Sequence, residues 1–236
     1  MMTRGERNRW LRQHHYRWQQ IKGAWILLGP DGWRATEQEA EQAILQRAAH
    51  PSPAQWARDI IRRRPLILDS ETTGLDPARD EIIELALVEL DGSVVLNTLI
   101  QCQGVIPEDA TAVHGITHEM LRGQPGFPEV WQQLQPYFSR PLVIYNAAYD
   151  IPMLAYGALR YRLRMSRPDA HCLMCQYTEY RVGSEGSYQR LEVACRDFGI
   201  EKSTHRALAD AQATRHVLLC LAAAEEEEAV TAGEER

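Results

Sequence analysis

Short apolar runs separated by turn residues dominate residues 65–222 and predict an alternation of strands and helices. A two-residue Asp91-Gly92 link between two apolar runs predicts a β-hairpin, because this pair favours the tight turn that joins antiparallel strands. The predicted strands cover residues 66–68, 81–90, 94–101 and 141–145. The predicted helices cover residues 117–121, 127–138, 150–163, 188–198 and 206–223, and Gly199 is placed to end the fourth of them.

Three strands in antiparallel order followed by strand–helix units favour an α/β fold. We expect a mixed five-stranded sheet flanked by helices on both faces, with the core formed by residues 65–222. The residues that follow, 223–236, are rich in Ala and Glu, and we expect this acidic tail to be disordered.

The first 64 residues have a different pattern and predict a small α+β appendage. Residues 24–33 predict two short strands around a Gly-Pro-Asp-Gly turn. Thr36 and Glu39 have the spacing of a capping box, which predicts a helix to about residue 49. Ser52 and Pro53 are typical of the start of another helix, which ends in the basic residues 62–64.

Charge divides the chain at the same boundary. The net charge is −6, yet residues 1–64 carry 12 Lys and Arg against 6 Asp and Glu, whereas residues 65–236 carry 14 against 26. Phosphate backbones attract basic surface. If the partner is a nucleic acid, local basic patches, bound metals or the N-terminal segment must therefore offset the repulsion of the acidic remainder.

The composition favours a reducing compartment and no membrane span. Five cysteines are an odd number, and most lie in apolar surroundings, which is atypical of a disulfide framework. The longest apolar run, residues 217–224, is far shorter than the roughly 20 residues that a membrane helix needs. We expect a soluble, cytoplasmic protein. The Cys172–Cys175 pair lacks a second ligand pair nearby, so core packing is favoured over a zinc site.

Candidate chemistry lies in three clusters along the chain. Asp69 and Glu71 are two apart at the end of a predicted strand, so both leave the same face, and two such carboxylates favour a cation between them. Asp150 opens a predicted helix just after Asn146. His205 precedes Asp210 by five residues, and histidine changes charge near neutral pH, which suits a general base.

Each cluster taken alone also has an ordinary structural interpretation. Asp-x-Glu is common at solvated strand ends, and Asp150 could simply favour the helix dipole. Asn146 could satisfy a turn, and a lone histidine is usually a surface residue. Glu84, on the second predicted strand, is equally compatible with a supporting acid and with a charge at the edge of a hairpin. The combination of order and spacing is what points to a metal-dependent site.

That combination closely resembles the DEDDh branch of the 3′–5′ exonucleases, a DnaQ-like group that includes proofreading subunits of bacterial polymerases and several ribonucleases. The resemblance covers about residues 65–222 and implies a ribonuclease H-like fold. Its motifs are Asp69-Ser70-Glu71-Thr72-Thr73-Gly74-Leu75, Tyr145-Asn146-Ala147-Ala148-Tyr149-Asp150, His205-Arg206-Ala207-Leu208-Ala209-Asp210 and Val113-His114-Gly115-Ile116-Thr117. Many members of the branch have His where Tyr145 stands.

The resemblance implies roles for individual residues. Asp69, Glu71, Asp150 and Asp210 are expected to hold two divalent ions, Mg²⁺ or Mn²⁺, with His205 as the general base. The implied activity is hydrolysis of phosphodiester bonds at single-stranded 3′ ends, DNA favoured over RNA, with release of nucleoside 5′-monophosphates. The expected substrate contacts are Thr72, Thr73, Gly74, Leu75, His114 and Asn146.

Several questions stay open at the level of sequence. A polymerase or other nucleic-acid-processing partner is compatible with the resemblance, as is a dimer. A catalytically weak binding module is the alternative from another class, although all five expected catalytic residues are present. Five of the six tryptophans lie in residues 1–64 beside many arginines. They fit either binding of single strands by stacking or a small core and partner surface.

Overall fold

The computed structural model describes residues 3–47, 52–183, 186–201 and 205–224. In those ranges the chain forms seven strands and ten α-helices. The strands are β1 (Arg17–Ile21), β2 (Ala24–Leu28), β3 (Leu66–Thr72), β4 (Ile82–Val88), β5 (Val94–Leu99), β6 (Leu142–Ile144) and β7 (Ala170–Cys172). The helices are α1 (Arg4–Gln13), α2 (Glu37–Arg47), α3 (Pro53–Arg62), α4 (Glu108–His114), α5 (His118–Leu121), α6 (Phe127–Leu134), α7 (Ala147–Arg160), α8 (Leu173–Val182), α9 (Leu191–Asp197) and α10 (Ala207–Ala223).

The main sheet has five strands in the order β5-β4-β3-β6-β7. Strands β3, β4 and β5 pair antiparallel, whereas β6 and β7 run parallel to β3. The predicted mixed five-stranded sheet is therefore confirmed. The fifth strand, β7, was not located from sequence, because its three residues include the polar His171 and give no apolar run.

Helices cover both faces of this sheet. Helix α10 packs on β3, β4 and helix α3. Helix α7 contacts β4, β6 and β7. All seven residues of β4 are buried. Successive side chains of a strand leave opposite faces, so β3 can present polar groups to α10 on one side and to α7 on the other.

The N-terminal hairpin differs from the sequence prediction. Strand β2 lies where the first strand was expected, but its partner is β1, which precedes it. Lys22 and Gly23 form the two-residue link and both have positive φ, the backbone shape that matches strand twist. The expected second strand near Trp33 is reduced to an isolated pairing of Leu28 with Arg34.

Other predicted boundaries shift for identifiable reasons. The helix expected over 127–138 ends at Leu134 and continues as a 3₁₀ turn containing Pro136. The helix expected from residue 150 begins at Ala147, and the one expected from 188 begins at Leu191. Helices α1, α4 and α8 were not predicted. The capping box is confirmed, since the Thr36 N–H donates to Glu39 Oε2 at 2.7 Å and the Glu39 N–H to Thr36 Oγ1 at 3.2 Å.

Helix α3 belongs to the main core, which corrects its assignment to the N-terminal segment. Ser52 caps it as predicted, accepting from the Gln55 N–H at 3.2 Å. Its buried Ala54, Ala57 and Ile60 recur every third residue and form one apolar face. Ala57 and Ile60 join the core of the main sheet. Because α3 packs in the core of the main sheet, we place the end of the appendage before α3 rather than at residue 64.

The appendage, residues 3–47, has a small core of its own and docks on α7. Leu11, Tyr16, Leu27 and Ala40 form that core. Gly32 has φ +74 and lies so close to α7 that an added Cβ would meet the Ala147 carbonyl oxygen at 2.0 Å. Arg34 donates to the Tyr156 hydroxyl of α7 at 3.0 Å.

Two predicted features fall outside the described residues. These are the end of the second helix, over residues 48–49, and the acidic tail from residue 225 onward. Among the described helices, none is both long and apolar enough to cross a membrane.

Candidate active site

Three carboxylates converge where β3 meets the first turn of α10. Asp69, Glu71 and Asp210 each offer an oxygen, and these oxygens all lie within 4.8 Å of one another. All three side chains are partly buried. Like charges this close repel, so the donor set fits a hard divalent ion such as Mg²⁺ or Mn²⁺ between them. The structure thus brings together three of the four carboxylates expected from sequence.

Asp150 is not part of that group of three and contacts β3 through Ser70. It is 3% exposed, and its Oδ1 accepts a hydrogen bond from the Ser70 hydroxyl at 2.6 Å. Ser70 separates Asp69 from Glu71 in sequence, so a single strand contacts both parts of the site. Burial raises the pKa of Asp150 to about 7, while the Ser70 hydrogen bond acts in the opposite direction. An ionised carboxylate in this position is stabilised by a nearby cation.

His205 lies at the exposed edge of the acidic group. Its Nδ1 is 3.9 Å from Asp210 Oδ2 and 3.9 Å from Glu192 Oε1, and 45% of its side chain is exposed. The ring is therefore held near the carboxylates while remaining accessible to water. That placement suits a group that exchanges protons with solvent.

Glu84 and Arg206 form a buried brace that sequence reasoning left undecided. Glu84 accepts from Arg206 Nε at 3.0 Å and from the Ala207 backbone N–H at 2.9 Å. Glu84 is 3% exposed and pairs with Glu71 across β3 and β4. The brace fixes the start of α10, and hence Asp210, against the sheet. The signal in the sequence was a lone acid within an otherwise apolar strand.

The loop after β3 is held by side chains from both of its ends. The Thr72 hydroxyl and the Tyr149 hydroxyl both contact the Gly74 carbonyl oxygen, at 2.8 and 3.0 Å, and also contact each other. Thr73 Oγ1 accepts from the Glu81 N–H at 3.0 Å. Leu75 stands at the tip with 80% of its surface exposed. Tyr149 is thus a positioning residue that the sequence motifs contained without its role being recognised.

Gly74 lies against the Asp80 carboxylate. A Cβ at this position would meet that carboxylate at 2.6 to 2.8 Å. Asp80 accepts from the Asp76 N–H at 2.8 Å and closes the loop. The close approach of Asp80 therefore favours glycine at position 74.

His114 and Asn146 each bring an unsatisfied polar atom to the site region. The His114 Nδ1 accepts from the Ile116 N–H at 2.9 Å, so the neutral ring carries its proton on Nε2. Burial lowers the pKa of His114, with the Thr72 backbone opposing that effect, which favours the neutral ring. His114 Nε2 and Asn146 Oδ1 are buried, and no described residue gives either a hydrogen-bond partner. Asn146 precedes α7 without capping it through its side chain.

Three other residues that the sequence analysis singled out lie in the core. Tyr145 is 6% exposed and donates to the Gln189 carbonyl oxygen at 2.9 Å. Burial raises the pKa of Tyr145 above the ordinary tyrosine value. Cys172 and Cys175 are buried thiols at the junction of β7 and α8. These side chains pack the scaffold.

Comparison with known proteins agrees with this fold and site. The exonuclease family described as RNase_T matches residues 66–218. An uncharacterized exonuclease of Escherichia phage 186 is 33% identical over 184 residues, which cover 72% of this chain and 93% of the phage protein. The DNA polymerase III subunit epsilon of Pasteurella multocida is 33% identical over 172 residues, covering 67% and 68% of the two chains.

Solved structures show the same architecture. Exonuclease X in complex with 5′ overhanging duplex DNA superposes with a TM-score of 0.52 and 25% identity, covering 66% of this chain and 89% of that one. Escherichia coli Exonuclease I in complex with a dA16 oligonucleotide has a TM-score of 0.54 and 20% identity, over 64% and 39% of the chains.

The main sheet has the ribonuclease H-like fold of nucleases. The chain belongs to the DnaQ-like family of DEDDh-type 3′–5′ exonucleases. Members of this family depend on divalent metal, which agrees with the acidic cluster formed by Asp69, Glu71 and Asp210.

Proposed function

We propose that this protein removes nucleotides from the 3′ ends of single-stranded nucleic acid, DNA in preference to RNA, and releases nucleoside 5′-monophosphates. The observation that carries the proposal is the convergence of Asp69, Glu71 and Asp210 within 4.8 Å on a fold whose relatives are exonucleases. Residues 65–222 form the catalytic region in this proposal, with α3 packed behind it.

The proposed metal ligands are Asp69, Glu71 and Asp210, with Asp150 as the fourth carboxylate. This set would hold two ions of Mg²⁺ or Mn²⁺, which would supply Lewis-acid stabilisation of the charge that develops on the phosphate and the departing 3′-oxygen. Asp150 contributes its negative charge through the position fixed by Ser70. Glu84 and Arg206 hold α10 so that Asp210 stays opposite β3.

His205 is the proposed general base. It takes a proton from the attacking water as the water oxygen bonds to phosphorus and the bond from phosphorus to the 3′-oxygen breaks. Its exposed position then lets it return that proton to solvent. Asp210, 3.9 Å from the ring, stabilises the protonated imidazole during this step.

The proposed substrate contacts surround the exposed tip at Leu75. The backbone from Thr72 to Leu75 holds the terminal 3′-hydroxyl, and Leu75 packs against a base. His114 offers its Nε2–H and Asn146 its amide as further polar contacts. Thr73 supports the loop from within through its hydrogen bond to Glu81.

The preference for DNA is inferred from relatives. One relative is named as a subunit of DNA polymerase III, and two similar structures hold DNA. A polymerase partner supplied in trans is part of the same inference. Co-purification of a polymerase with the tagged protein from its own host, at salt concentrations that remove nucleic acid, tests that part.

The test of the proposed activity uses 5′-labelled single strands of DNA and RNA with one sequence, in Mg²⁺ or Mn²⁺. We expect a ladder that shortens from the 3′ end, faster on DNA, and no ladder with Asp69→Ala. Glu119→Gln, which removes an exposed acid far from the cluster in sequence, is the matched control and keeps wild-type activity. A folded protein that binds both strands and leaves them intact would instead support the binding-module alternative.

A further inference from the structure

The hairpin of the appendage forms one wall of a pocket beside the proposed nucleotide site. The pocket is an open cavity of about 270 Å³. Its lining comes from both regions of the chain and consists of Arg17, Trp18, Gln19, Leu75, Asn146 and Tyr149. The family match starts at residue 66, so the β1 residues lie outside it.

The hairpin is held against the catalytic region at this point. Arg17 donates from Nη2 to the Ala148 carbonyl oxygen in the first turn of α7 at 2.6 Å. Ala148 lies two residues before Asp150, and Tyr149 contacts both Thr72 and Gly74. The pocket is therefore joined to the site by a short chain of direct contacts.

Three polar side chains in the pocket each have a buried atom without a partner among the described residues. These atoms are Arg17 Nε, Gln19 Oε1 and Asn146 Oδ1. The guanidinium can only donate, whereas each amide can present either its donor or its acceptor after rotation. These three atoms have no exposed surface of their own, so rotation of the two amides would be what presents donors and acceptors to the polar edge of a nucleobase.

The same pocket has apolar surface for the face of a base. Trp18 is 38% exposed and Leu75 is 80% exposed. Stacking of bases on aromatic side chains is a general mode of single-strand recognition, with arginine nearby to attract the backbone. We propose that this pocket binds a nucleobase of the strand being degraded, close to its 3′ end, with Trp18 stacking on the base and Gln19 and Asn146 contacting its edge.

This inference rests on the proposed function and names how the substrate is held. It assigns the appendage a role in strand binding and gives the tryptophan at position 18 a different role from Trp25. Trp25 lies on β2 of the same hairpin, is 65% exposed and is not part of the pocket. The two residues thus form a matched pair for an experiment.

The experiment measures degradation of a 5′-labelled DNA strand by the full-length protein under single-turnover conditions. Stacking of one base contributes enough that Trp18→Ala should raise the half-saturating enzyme concentration about 5- to 100-fold. Trp18→Phe, which keeps an aromatic face, should recover most of that loss. Trp25→Ala should behave as wild type. Melting curves of all three variants establish that the fold is retained.

Strands with one abasic site locate the base. With the abasic site at the last, second or third position from the 3′ end, the penalty of Trp18→Ala should disappear at one of the three positions. An equal loss from Trp18→Ala and Trp25→Ala, or a penalty unchanged by every abasic site, would overturn the pocket. If wild type itself leaves all strands intact, the proposed function fails instead, so the two failures are distinguishable.

Discussion

The catalytic region and the N-terminal appendage differ in the size of their buried cores. All seven residues of β4 are buried in the catalytic region, which has a large core, whereas the core of the appendage has four buried residues. The family match covers the catalytic region and does not include the appendage. The large core holds three carboxylates within a few ångströms of one another. In our proposals the chemistry belongs to the catalytic region, and the appendage adds a contact to the strand.

The largest effect is expected in the catalytic region. Asp210→Asn removes a charge from the group of three carboxylates, and loss of one preorganised electrostatic contact typically slows a reaction about 10²- to 10³-fold. We expect the maximal single-turnover rate to fall by about 10³. Mn²⁺ should also raise the melting temperature of this variant less than that of wild type. A rate within tenfold of wild type would place the metal ligands elsewhere.

Removal of the proposed base should have the next largest effect. His205→Ala should lower kcat/KM about 10²-fold. This is the lower end of the range of effects for a positioned general base, because solvent reaches this site. His216→Ala, an exposed histidine of α10, is the control and should keep the wild-type kcat/KM. A kcat/KM of His205→Ala within about threefold of wild type would contradict the assignment.

The ion pair between Glu84 and Arg206 is expected to position α10 without taking part in the chemistry. Breaking a buried ion pair costs about 3–5 kcal/mol, but Arg206 is about one-third exposed, so we expect Glu84→Gln to lower the free energy of unfolding by about 2 kcal/mol. Glu89→Gln breaks a similar pair with Arg140 nearer the surface, and about 1 kcal/mol or less is expected. Urea unfolding measures both. Equal losses would show that the brace contributes no more than a surface pair.

A further prediction concerns stability and the buried carboxyl of Asp150. Its pKa is raised to about 7 by burial, so between about pH 4 and pH 7 the folded protein retains a proton that the unfolded chain has lost. Stability without metal should therefore fall as pH rises through that window. Asp150→Asn lacks this loss, so its melting temperature relative to wild type should be higher at pH 8 than at pH 5 in EDTA. A pH-independent difference would contradict the raised pKa.

Patterns of polarity were sufficient to predict four of the five strands of the main sheet. Strands β3 to β6 each contain an apolar run, and their order favours the mixed topology. Strand β7 has three residues and owes its place to pairing with β6, a contact distant in sequence. The turn at Lys22 and Gly23 was missed because Lys rarely occupies a left-handed conformation, whereas the Asp91-Gly92 turn was recognised.

The site was predictable to the extent that its residues follow regular spacing. Asp69 and Glu71 share a face because they are two apart on a strand, and Asp210 joins them through α10. The contact of Asp150 with Ser70 and the brace at Glu84 depend on tertiary packing, which no local pattern encodes. The pocket at Trp18 depends on how the hairpin docks, so composition alone left two interpretations open.

The most direct test of the division between the two regions compares Asp210→Asn with Trp18→Ala on one 5′-labelled DNA strand. Single-turnover rates measured across enzyme concentrations give a maximal rate and a half-saturating concentration for each variant. We predict that Asp210→Asn lowers chiefly the maximal rate, and that Trp18→Ala raises chiefly the half-saturating concentration. Changes in the same parameter for both variants would contradict the separation of chemistry from strand recognition.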